Sequence, residues 1–155
     1  MHTRWNSFLR NTTLATVLLA GVYGLRAAAP LDTLESPWRW SLLFPSNPKR
    51  LTTILGVNYP EAVAPVVFIA ELFLLGLVGT AAAHLVHRWA TDAHHTGWHL
   101  GVAGALGIVG IHWIEWGIKF SGTTHTPTEP VVITGVSGLI LLGLAGWLAG
   151  SGTRK

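Results

Sequence analysis

Four stretches of the chain run long enough, with few charges, to cross the hydrocarbon core of a bilayer, which takes about 20 residues in a helix. They cover residues 8–29, 62–89, 98–120 and 131–150. The pattern predicts an all-α fold: an integral membrane four-helix bundle, with residues 1–155 forming a single transmembrane domain. The first and second spans are separated by a Pro-rich connector in which Pro30, Pro37, Pro45, Pro48 and Pro60 break any continuous helix. Its segment LDTLESPWRWSLLF mixes Leu, Trp and Phe with Asp32, Glu35 and Arg39. That mixture fits either an ordered loop capping the bundle or a stretch lying partly in the membrane interface. The other two connections are short, which makes spans two, three and four antiparallel neighbours.

Tryptophan agrees with this path. Along an alternating chain, Trp5, Trp89, Trp98 and Trp147 fall near one surface, and Trp38, Trp40, Trp113 and Trp116 near the other. Aromatic belts at both interfaces are expected of membrane spans. The N-terminus resembles a secretory signal, with Arg4 and Arg10 before an apolar stretch and Ala27-Ala28-Ala29. Arg26 interrupts the end of that stretch and Pro30 would follow the cut, so it reads as a retained first helix.

Composition sharpens the class. Only 11% of the 155 residues are charged, against about 25% in a soluble domain. The formal charge of +3 comes from ten Lys and Arg dispersed along the chain. No basic stripe of the kind nucleic acid requires is present, so the expected partners are the lipid bilayer and other membrane subunits. Cysteine is absent, which excludes disulfides and thiolate chemistry. The basic residues divide evenly between the two sides, so the positive-inside rule does not decide orientation. Both termini are placed on the cytoplasmic side, in a bacterial inner membrane.

Three ionisable groups fall at membrane depth: Glu71 in the second span, His112 and Glu115 in the third. Such groups face protein or water and usually have a partner. At 1.5 Å per residue they lie about 8 to 14 Å from the surface that carries the long connector, close enough in level to meet. They are expected to form one polar cluster, with Glu71 in hydrogen-bond or one-water reach of His112 or Glu115. It serves as a structural tie, a proton or ion pathway, or a metal site. Gly97, Gly101 and Gly104 lie within roughly 40° of Glu115 on the third helix and predict close packing of helices two and three.

The segment HLVHRWATDAHHTGWH brings His84, His87, His94, His95 and His99 to the opposite surface. Zinc, copper or haem could be held by His84, His87 and His99. On helical phase, however, His84 and His87 point about 140° to 160° away from Glu71. If the Glu71 face is interior, these histidines face headgroups, water or another subunit and stay unligated. The sequence has no phosphate-binding loop, no Gly-x-Ser-x-Gly and no His-Glu-x-x-His.

Asp32-Thr33 followed by Trp38-Arg39, a mid-helix Glu71, and Glu115-Trp116 with Phe120-Ser121 after it resemble a bacterial family, the predicted small integral membrane proteins of unknown function. The paired glycines before Glu-Trp and the glutamine after it are missing. A looser likeness is to DoxX-like four-helix membrane proteins, which carry a glutamate in the second span. Both resemblances imply a four-helix membrane protein, and neither implies an activity. With no complete catalytic constellation, the sequence points to a non-catalytic accessory subunit of a larger, bioenergetic membrane complex. The alternative is a small membrane oxidoreductase, or a proton- or ion-linked transport protein, centred on Glu71, His112 and Glu115.

Overall fold

The computed structural model describes residues 2–28, 64–91, 97–121 and 128–151. The Pro-rich connector, with Trp38 and Trp40, and the His94-His95 pair lie outside the described residues. Four helices are present: α1 His2–Ala28, α2 Ala64–Thr91, α3 His99–Ser121 and α4 Thr128–Gly150. No strand occurs among the described residues.

Neighbour pairs fix the directions. Phe8 packs on His84, and Gly76 lies against Thr16, so α1 and α2 are antiparallel. Asn11 meets Gly97, and Tyr23 meets His112, so α1 and α3 run together. His87 reaches Ala149 and Ala90 faces Gly150, so α2 and α4 also run together. The bundle is therefore up-down-up-down. Helices α2 and α3 each touch all the others, and α1 and α4 flank this central pair.

Small residues let the central backbones approach. A Cβ on Gly104 would stand 2.7 Å from the Gly79 carbonyl carbon and from the Thr80 nitrogen. The same crowding joins α3 to α4, where a Cβ on Gly138 would lie 2.7 Å from the Gly110 oxygen. Gly101 faces α1 instead, against the Asn11 backbone. The glycines expected to pack against helix two are thus divided: Gly104 meets α2, while Gly97 and Gly101 receive α1. Alanine supplies much of the rest of the interior, with Ala15, Leu19, Leu72, Ala105 and Val109 in one cluster and Ala83, Leu100, Ala103 and Ala149 in the other.

The outer surface is apolar as well. Val17 and Val22 on α1, Ile69 and Leu85 on α2, Ile111 and Ile118 on α3, and Leu139 and Ile140 on α4 are all exposed. Two stretches are long and apolar enough to span a membrane, Ile69–Thr91 and Val132–Gly150; His99–Glu115 is shorter. Arg10, Asn11, Thr12, Thr13 and Thr16 interrupt the apolar run of α1. The Thr13 and Thr16 hydroxyls donate to the Leu9 and Thr12 carbonyls at 3.0 and 2.8 Å, which satisfies them within the helix.

Gly104→Leu is expected to destabilise the bundle by more than the 1–3 kcal/mol typical of overpacking, about the limit a soft contact can absorb. Here the obstacle is backbone. Gly143→Leu, where a Cβ meets nothing within 4 Å, should unfold like the wild type. Equal thermal stability of the two variants in detergent would refute this assignment.

Candidate functional site

Two polar clusters occupy opposite halves of the bundle. The first is at the end formed by the start of α1, the end of α2, the start of α3 and the end of α4. His87 is 2% exposed there, and its Nδ1 lies 2.7 Å from the Ala149 carbonyl oxygen. A carbonyl can only accept, so Nδ1 carries the proton and donates. Ala149 is in the last turn of α4, where carbonyls run out of intrahelical donors, and His87 supplies one. The Thr91 hydroxyl donates to the His87 carbonyl oxygen at 2.6 Å. The His99 ring meets the His87 ring edge to face at 5.7 Å and also lies over Gly97. The Nε2 atoms of His84 and His99 are buried without a hydrogen-bond partner. Asn11 Nδ2 donates to the Gly97 carbonyl oxygen at 3.0 Å, tying α1 to the entry of α3.

The expectation that these histidines face outward is corrected for His87. The phase argument allowed helix two a single interior face. Because α2 is central, with α1, α3 and α4 around it, opposite sides of it are covered at different levels. Glu71 is buried at one level and His87 at another.

The second cluster lies toward the other end. His112 Nδ1 is 3.9 Å from Glu115 Oε2 one turn along the same helix. The Tyr23 ring of α1 meets the His112 ring edge to face at 5.7 Å. Glu115 is about half exposed, in line with Ile111 and Ile118 on the outer side of α3. Glu71 makes no direct hydrogen bond to either: it is 3% exposed, and both its carboxyl oxygens are buried with no hydrogen-bond partner. The expected direct hydrogen bond from Glu71 to His112 or Glu115 is therefore not made, and His112 and Glu115 pair along α3. The reason is again phase, because Glu115 looks away from the interior that buries Glu71. Among the described residues, no three His, Asp or Glu side chains are placed to hold a metal ion together.

Tyr23 and Asn11 belong to these clusters and were not foreseen. Their signal is a series at four-residue spacing, Asn11, Ala15, Leu19 and Tyr23, all buried on one stripe of α1. A polar residue at the head of such a stripe marks the face that meets other helices. No family model, no curated protein and no solved structure matches the chain.

The two buried groups should respond oppositely to truncation. His87→Leu leaves the Ala149 carbonyl without its donor and is expected to destabilise by about 1–3 kcal/mol. Glu71→Leu removes a polar group that has no partner and should be neutral or stabilising. Thermal unfolding in detergent checks both, and a Glu71→Leu variant less stable than His87→Leu would overturn the assignment.

Proposed function

We propose that the chain is an integral membrane protein whose four helices all cross the bilayer, and that it serves as a non-catalytic accessory subunit of a larger membrane complex. The apolar exterior on every helix supports the membrane reading, since lipid is the solvent that tolerates it. Exposed Trp5, Trp89, Trp98 and Trp147 at one end support it as well, as an interfacial belt. An even number of crossings puts both termini on one side, which we take to be the cytoplasmic side of a bacterial inner membrane.

One observation carries the subunit reading. On α4, a Cβ at Gly135, Gly143 or Gly146 would meet nothing within 4 Å, whereas the glycines at the bundle's own contacts are filled by neighbouring backbone. Gly135, Leu139, Gly143 and Gly146 fall within roughly 80° of one another on the helix. Lipid gains nothing from such a surface, but small residues let a further helix pack closely. The rival reading, catalysis or transport at a joint Glu71, His112 and Glu115 site, is weakened by the lack of a hydrogen bond from Glu71 to either partner. A buried acid and buried histidines nonetheless suit a complex that moves protons or electrons, which is why a bioenergetic assembly is favoured.

Purification from native membranes in mild detergent tests this. The wild type is expected to co-purify with other membrane proteins in fixed ratio. A Gly143→Leu, Gly146→Leu double variant should lose them while keeping its own thermal stability. A wild type that runs as a lone protomer at native expression refutes the subunit reading.

A further inference from the structure

The histidine end of the bundle holds a feature that a structural tie alone does not require. His87 presents one nitrogen to a backbone carbonyl, at 2.7 Å from Ala149, which fixes its tautomer and ring orientation. Metal-binding histidines are commonly held this way, through the ring nitrogen that does not bind the metal. Its other nitrogen, Nε2, has only the Thr91 hydroxyl at 3.5 Å, the far limit of a hydrogen bond. That hydroxyl's proton is already committed to the His87 carbonyl oxygen at 2.6 Å. From α3, His99 lies over Gly97 by its Nδ1 side, and its Nε2 is buried with no partner. Two imidazoles from two helices thus keep an uncommitted nitrogen each, at the same level of the bundle.

We propose that His87 and His99 form a two-nitrogen site for a monovalent copper ion. An ion shared by two imidazole nitrogens at about 2 Å each holds the ring centroids roughly 6 Å apart. The rings stand 5.7 Å apart, so with His87 held by Ala149, loading the site needs the His99 ring to turn rather than the helices to move. Imidazole suits zinc, copper, iron and nickel. The number of ligands selects the oxidation state. A structural zinc ion takes four ligands, and among the described residues no third His, Asp or Glu completes such a shell. Monovalent copper, with a filled d shell, is satisfied by two nitrogens in line. Gly97 matters too, because a side chain there would occupy the space of the His99 ring.

The test is an anaerobic titration of the full chain in detergent with copper(I), against the chromophoric competitor bicinchoninate. The wild type is expected to withdraw one copper per chain and to unfold at higher temperature when loaded. His99→Gln should weaken binding by at least about 100-fold, beyond what loss of a merely supporting group costs, and abolish the thermal shift. A His94→Asn, His95→Asn double variant should bind as the wild type does. No copper uptake by the wild type overturns the proposal. So does binding that survives His99→Gln, or that disappears with His94 and His95. The result is independent of the subunit reading, which rests on α4 and on co-purification.

Discussion

Where α2 crosses α3, the backbone at Gly79 and Thr80 lies against the backbone at Gly104, with no side chain between them. A bundle that is apolar outside as well as inside cannot rely on expelling water to choose its packing. Close van der Waals contact between backbones provides that choice, and only glycine allows it at this distance. The crossing also determines what lies above and below it. On one side α2 and α3 bring together His87 and His99; on the other they carry Glu71 and His112 into the interior. Gly110 and Gly138 repeat the device for α4, so both halves of the bundle hang from contacts of the same type.

Polar groups are handled differently at the two ends. At the histidine end, the needs of the helix termini are met across helices: Asn11 serves Gly97 and His87 serves Ala149. Those bonds orient the rings and leave other nitrogens without partners. At the opposite end His112 sits beside Glu115 on α3 and meets the Tyr23 ring of α1, while Glu71 has no hydrogen-bond partner. Between the ends lie Leu19, Leu72, Ala105 and Val109, with Thr16 against Gly76 and buried Thr80 against Gly104.

The four helices were legible from length and charge, with ends close to those observed: α2 was expected over 62–89 and spans Ala64–Thr91, and α3 over 98–120 and spans His99–Ser121. Uninterrupted apolar runs bounded by proline and polar turns carry that information locally. Which residues meet was harder to read, because it depends on the order of helices around the bundle. One interior face was assumed for α2, and that assumption turned His87 outward. A helix at the centre of a bundle has no single interior face. The role of Asn11 was hidden for a related reason: its partner, Gly97, is distant in sequence and recognisable only once α1 and α3 are known to run together.

The bond from Asn11 to Gly97 also bears on how such a chain is assembled. Helix α1 is made before the helix it binds. Asn11 and Thr12 are fully buried only once α2 and α3 stand beside them. In a nascent chain entering a bilayer, α1 would therefore meet lipid with polar groups exposed, an unfavourable state that persists until α3 has been synthesised. During that interval α1 depends on the insertion machinery for shelter. On the proposed membrane reading, α1 would reach its final position late, by docking onto a hairpin that has already closed.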